Sequence, residues 1–176
     1  MTPDPSASYD HLVLPHLDAA YSLARWLTGN DSDAQDATQE ACLRALKFAG
    51  GFRGGNARSW FLKIVRHTTW TWLKRNRGHH EEVEFDEELH GGEDLSTNPE
   101  TILMRQADIN AVRQALESLP PEFREAMILR EIEGCSYKEI AEIADVPLGT
   151  VMSRLARGRQ QLQTLLTAHP QTGGSP

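Results

Sequence analysis

The chain has 176 residues, 39% of them apolar, and a formal net charge of −7. That length admits one domain or two small ones, and apolar runs of only a few residues exclude a membrane span. Met1–Asp10 is rich in Pro, Ser and Asp and unlike a signal peptide, so a soluble, cytoplasmic protein without membrane insertion is expected. Cys42 and Cys135 stand far apart without metal-ligand spacing, and His79-His80 lacks the Cys or carboxylate pattern of a zinc site. Two reduced thiols, no metal and no cofactor are therefore expected.

Apolar residues at Leu12, Leu17, Ala20, Leu23, Ala24 and Leu27 predict a helix from His11 to Thr28, stopped at Gly29-Asn30. A second helix, capped by Asp31 or Ser32, should run to Gly50-Gly51. On it Asp33, Asp36 and Glu40 fall at i, i+3 and i+7 and form an acidic stripe. Phe52–Asn56 reads as a loop. Ala57–Arg66 predicts a third helix, with Trp60, Phe61, Ile64 and Val65 inward and Ser59, Lys63 and Arg66 outward. A turn near His67-Thr68 and a fourth helix over Thr69–Asn76 should follow.

Periodicity then fails from Gly78 to Asn98, where acids and Gly91-Gly92 predict a flexible linker. Pro99 suits a first helical turn, so a helix to Leu119 is expected, then one from Glu122 to Ile132 ended by Gly134. The fold class is all-α, two small helical domains at 8–78 and 99–168. An acidic linker at 79–98 joins them, and 169–176 should be a disordered tail.

The sharpest local signal is Ser136–Arg159. Ser136 with Glu139 is a capping box, and Tyr137, Ile140, Ala141 and Ala144 share one helical face. Asp145–Gly149 breaks that helix because Pro147 lacks an amide donor. Thr150 can cap a second helix whose inner face is Val151, Leu155, Gly158, Leu162 and Leu165. Ser153, Ala156, Arg157 and Gln160 lie opposite, flanked by Met152, Arg154 and Arg159. A short, exposed, basic helix after a tight turn suits a DNA major groove.

Net charge hides its distribution. Residues 49–80 hold seven Arg or Lys and no acid, 81–100 hold nine acids and no Arg or Lys, and 146–176 carry +3 with no acid. Phosphate binding depends on the local patch, so two basic surfaces divided by an acidic connector fit nucleic acid despite the total.

Three blocks in order carry a family resemblance: LARWLTGNDSDAQDATQEACLRAL, FRGGNARSWFLKIVRHTTWTWLKRNR and LESLPPEFREAMILREIEGCSYKEIAEIADVPLGTVMSRLARGR. The chain resembles the extracytoplasmic-function (group IV) sigma factors of bacterial RNA polymerase. The resemblance implies a region 2-like bundle and a region 4-like helix-turn-helix. It implies core RNA polymerase as partner, with Asp33, Asp36, Gln39 and Glu40 facing the beta-prime coiled coil. An exposed residue among Phe123, Met127, Ile128 and Ile132 would touch the beta flap. Promoter DNA is the second implied partner. The minus-ten element would meet Arg53, Arg58, Lys63, Arg66, His67, Trp70, Trp72, Lys74, Arg75 and Arg77, as phosphate contacts, stacking aromatics and a flipped-base pocket. His67 stands where the family often has asparagine. The minus-thirty-five element would meet Thr150, Met152, Ser153, Arg154, Arg157 and Arg159, and Met152 stands where several relatives carry a basic residue. Relatives are commonly held by an anti-sigma factor.

Two other functions fit parts of the pattern. A free-standing regulator with an N-terminal sensor or dimerisation domain has the same C-terminal signal but leaves the basic block with Trp70 and Trp72 unexplained. A nucleic-acid enzyme lacks any paired acid/base motif, metal cluster, nucleophile elbow or Gly-rich phosphate loop in this sequence.

Overall fold

The computed structural model describes residues 5–76 and 99–168, with side chains from 8 and from 105 onward. The expected linker at 79–98, the tail at 169–176 and Arg77 lie outside the described residues. In the first stretch come α1 (Pro5–Val13), α2 (Leu17–Thr28), α3 (Asp31–Phe48) and α4 (Ala57–Arg75). In the second come α5 (Pro99–Ser118), α6 (Pro121–Met127), α7 (Tyr137–Ala144) and α8 (Leu148–Ala168). Among the described residues there is no strand, and the fold is all-α.

The expected first helix is two helices joined by a 3-10 turn at Leu14–His16. Pro15 has no amide to donate, and its ring crowds the preceding turn, so the α-helical ladder cannot continue through it. At the far end of α2 the chain reverses at Gly29, whose φ of 71° and amide bond to the Arg25 carbonyl close the helix. The cap of α3 is Asn30, not Asp31 or Ser32: its side chain accepts from the Asp33 amide at 3.0 Å. Asp31 is engaged elsewhere, accepting from the Tyr21 hydroxyl at 2.6 Å and from Arg25 at 2.9 Å.

Along α3, Ala34, Ala37, Ala41, Ala45 and the following Ala49 sit at spacings of three and four, all buried. Small side chains there let α2 and α4 pack close on both flanks of α3.

Ala57–Arg75 is one continuous helix; the expected break at His67-Thr68 is absent. The stretch holds neither Gly nor Pro, and its threonines are accommodated. Thr69 donates to the Val65 carbonyl at 2.7 Å and Thr71 to the His67 carbonyl at 2.9 Å. Ser59, expected outside, is buried, while Trp60 is half-buried against the edge of Phe52.

In the second stretch, α6 begins at Pro121 and passes into a wider π turn at Ile128–Ile132. Gly134, at φ 66°, ends it. The capping box of α7 forms in both directions, each bond 3.1 Å. Asp145 then takes the left-handed conformation at φ 54°, tolerable for a short polar side chain. Thr150 does not cap α8. The Pro147 carbonyl accepts the Thr150 and Val151 amides at 3.0 and 3.3 Å, which leaves Thr150 inside the first turn. Val151, Leu155 and Gly158 form the buried face as expected. A Cβ on Gly158 would meet Met127 Cγ at 3.0 Å, so the missing side chain sets how closely α8 approaches α6.

The two stretches share one continuous apolar core, with α7 lying along α4 and α6 against α2.

Candidate nucleic-acid and core-binding surfaces

The outer face of α8 is open. Met152 is 54% exposed, and Ser153, Ala156, Arg157 and Gln160 are exposed beside it. A groove of about 450 Å³ is lined by Glu122, Phe123, Thr150, Ser153, Arg154 and Arg157. Arg154 and Thr150 are both half-buried. Arg159 faces away from this cluster toward Glu131, at 3.2 Å. The inward residues anchor the helix and the outward ones are available, the division that a groove-reading helix requires.

The basic residues of α4 are placed differently. Arg53, Lys63, His67 and Lys74 are exposed. Arg58 is not free: it donates to the Glu139 carboxylate at 2.9 Å and to the Glu133 carbonyl at 3.0 Å. Asn56 meets the other oxygen of Glu139 at 3.0 Å. Arg66 pairs with Glu125 and lies over the Trp70 ring, 5.8 Å from its centre. Arg75 lies 5.9 Å over the Trp72 ring and holds Glu40 at 2.9 Å. Trp70 and Trp72 are both half-buried.

Glu125 is 1% exposed on α6. Burial pushes its carboxyl up from the ordinary value, while Arg66, Arg154 and the Trp70 indole pull it back. Arg124, beside it in sequence, points the other way. Its guanidinium donates to the carbonyls of Leu116, Glu117 and Leu119, closing the end of α5, and to the Trp26 carbonyl of α2 at 3.3 Å.

The acidic stripe on α3 divides into three environments. Asp33 is buried in the first turn, Asp36 and Gln39 are exposed, and Glu40 is held between Arg44 and Arg75. Leucines extend the exposed surface: Leu43 is 69% exposed and Leu46 also stands out. With Tyr9, Leu17, Tyr21 and Cys42 they line an open groove of about 590 Å³. Together the exposed leucines form an apolar patch whose transfer out of water would be favourable.

Among the described residues no three His, Cys, Asp or Glu side chains are grouped to hold a metal ion. No described helix is long and apolar enough to cross a membrane. Burial raises the Cys42 thiol and pushes Cys135 up to about 11, so both stay protonated at neutral pH.

Leu43, Leu46, Glu125, Glu139 and Arg124 are the residues that sequence reasoning missed at these surfaces. Leu43 and Leu46 had a signal: they fall three and seven positions past Glu40 and Gln39, on the same side of α3. The two glutamates had none, since each meets its arginine across a separation of 59 or 81 residues.

The fold is an all-α bundle with a helix-turn-helix whose second helix presents Arg157 to solvent. Residues 12–79 match the description "Sigma-70 region 2" and residues 109–162 match "Sigma-70, region 4". The chain is 41% identical over 166 residues to the ECF RNA polymerase sigma factor SigE of Mycolicibacterium smegmatis, covering 92% of this chain and 63% of SigE. It thus spans less than two thirds of that relative's length. It is 33% identical over 168 residues to the RNA polymerase sigma-H factor of Pseudomonas aeruginosa, covering 90% of this chain and 86% of that one. The fold is similar to the sigma factor RpoE co-crystallised with the anti-sigma factor NepR from Bartonella quintana, with a TM-score of 0.70 and 27% identity over 90% of this chain and 96% of that one. The chain belongs to the extracytoplasmic-function sigma factors of RNA polymerase.

Proposed function

We propose that this chain is a non-catalytic initiation subunit that brings core RNA polymerase to a restricted promoter set and helps open the DNA. The observation that carries the reading is the pairing of an open basic helix-turn-helix face with a second, aromatic-flanked basic helix in one chain. Residues 8–78 would bind core and capture the minus-ten element. Residues 99–168 would read the minus-thirty-five element, joined to the first domain by the acidic 79–98.

On α8, Arg157, Ser153, Met152 and Thr150 would meet bases or adjacent phosphates, with Arg154 and Arg159 serving the backbone. On α4 and its leading loop, Arg53, Lys63, Lys74 and Arg75 would follow the melted strand, with Arg58, Arg66 and Arg77 joining them. His67 would line the pocket of a flipped base, and Trp70 and Trp72 would stack on neighbouring bases. Asp36, Gln39 and Glu40, with Asp33 supporting the start of the helix, would face the basic beta-prime coiled coil, and Leu43 and Leu46 would supply the apolar part of that contact. The exposed Ile132 would be the beta-flap contact. A cytoplasmic site of action and an anti-sigma partner follow from the same reading, the latter supported by the RpoE–NepR complex.

Transcription in vitro from fragmented genomic DNA tests this with no promoter chosen in advance. Purified core polymerase with the chain should give 5′ ends that share one pair of upstream elements at fixed spacing. Random 5′ ends, equal with and without the chain, would remove the proposal and leave a free-standing regulator.

A further inference from the structure

One arginine of the α8 groove is held differently from its neighbours. Arg154 lies three residues past the buried Val151 and next to the buried Leu155, so it leaves α8 at the margin of the packed face. Half-buried, it lines two places at once. One is a tight seam between α6, α7 and α8, shared with Glu125, Ile140, Ala144 and Val151. The other is the open groove, shared with Ser153 and Arg157. Glu125 is the fully buried carboxylate of the seam, and attraction to Arg154 helps keep it ionised. Its other partners, Arg66 and the Trp70 indole, are on α4. Arg124, next to it on α6, turns away to the carbonyls that end α5. A buried carboxylate needs a counter-charge, and on α8 that charge is Arg154.

We propose that Glu125 is a positioning residue for DNA recognition: it holds the Arg154 guanidinium at the mouth of the groove, so that Arg154 meets a phosphate of the upstream element with its orientation already set. The proposal rests on the sigma-factor reading and adds to it a residue that touches no DNA itself. A long side chain loses rotamer freedom when it binds, and one fixed beforehand loses less. Charge alone predicts the opposite sign. A carboxylate near DNA repels phosphates, so removing one should tighten binding, whereas removing one that orients an arginine should loosen it.

Glu125→Gln and Glu125→Met test this at nearly constant side-chain length. Gln keeps a carbonyl that can accept from Arg154, and Met keeps no such acceptor. Glu122→Gln is the charge control, since Glu122 lines the same seam and groove but is exposed. The readout is the affinity of core polymerase carrying the full chain for a fluorescein-labelled promoter found in the transcription experiment above. Far-UV circular dichroism confirms the helices in each variant. Glu125→Gln should weaken binding about threefold and Glu125→Met more, while Glu122→Gln should not weaken it. Arg154→Ala should itself weaken binding, and adding Glu125→Met to it should then change nothing further. Binding as tight as the parent's or tighter in both Glu125 variants overturns the proposal. So does a loss of equal size with and without Arg154, which would assign Glu125 to packing or to its contact with Arg66. A parent that yields no promoter overturns the sigma-factor reading and this proposal together. An additive pair on a promoter that the parent does use overturns this proposal alone.

Discussion

The two basic helices of this molecule are both free of acids, with five Arg or Lys on α4 and three on α8, and live in opposite circumstances. On α8 a buried face of Val151, Leu155 and Gly158 faces one way, and Arg157 with Ser153 faces solvent the other. On α4 one side packs into its own bundle while another meets the second half, so Arg58 and Arg66 are already occupied by carboxylates. A run of arginines in a sequence therefore reports charge and not availability. What makes α8 an open surface is the single layer of packing behind it; α4 is a central helix with partners on several sides.

The largest expected effect breaks the occupied side of that comparison. Arg66→Ala strands Glu125 without its counter-charge in a buried site, which should cost about 3–5 kcal/mol of stability at neutral pH by urea unfolding. The loss should shrink as pH falls. Glu125 has a folded-state value raised above its unfolded one, chiefly by burial, so the folded chain holds the proton more readily. The carboxyl therefore costs stability as pH rises through the window from the ordinary carboxylate value up to its raised folded value, and ceases to do so below that window. An Arg66→Ala penalty that stays constant as pH falls from neutral to below the ordinary carboxylate value would show that Glu125 is not the group left unpaired.

On the open helix, two positions that are two residues apart should separate stability from selectivity. Leu155→Ala empties a fully buried site and should cost about 2–5 kcal/mol in unfolding. Arg157→Ala should leave unfolding within about 0.5 kcal/mol of the parent. Its effect should fall on DNA, relaxing discrimination at the upstream element by about 1–3 kcal/mol in competition between promoter variants. Intact selectivity would mean that the outward face has been misassigned.

The exposed leucines of α3 sharpen the comparison from a third surface. Leu43→Ala with Leu46→Ala should weaken core-polymerase binding about tenfold, roughly 1.4 kcal/mol, in a fluorescence titration, with little change in stability. Asp36→Lys with Glu40→Lys should also weaken it, and helicity should persist. Since Glu40 is held by Arg44 and Arg75, Asp36 should account for most of that loss. The smallest effect belongs to the exposed Lys74. Lys74→Ala should lower the slope of log affinity against log salt for single-stranded DNA by about 0.7, the share of one phosphate contact.

Much of this was legible in the sequence because the signals are local. The Ser136–Glu139 capping box, the Gly29 stop and the inner face of α8 all depend on residues within a few turns of one another. Where the signal was local but ambiguous, geometry decided: Asn30 and not Asp31 caps α3, and Pro147 supplies the carbonyl at the start of α8 that Thr150 was expected to replace with a cap. The continuity of α4 through His67-Thr68 depended on burial of Thr68 and Thr69, which tertiary packing supplies and propensity does not. The pairs Arg66–Glu125 and Arg58–Glu139 were not legible, since no periodicity links charges on helices so far apart in sequence. Charge segregation did point to two basic surfaces, but only the packing separated the open one from the occupied one.

Permanganate reactivity of thymines in one promoter found by the genomic transcription experiment tests the central claim most directly. The account predicts that the minus-ten thymines become reactive when the chain and core polymerase are both present, and stay protected with either alone. Reactivity with the chain alone, or protection persisting in the presence of both, would contradict it.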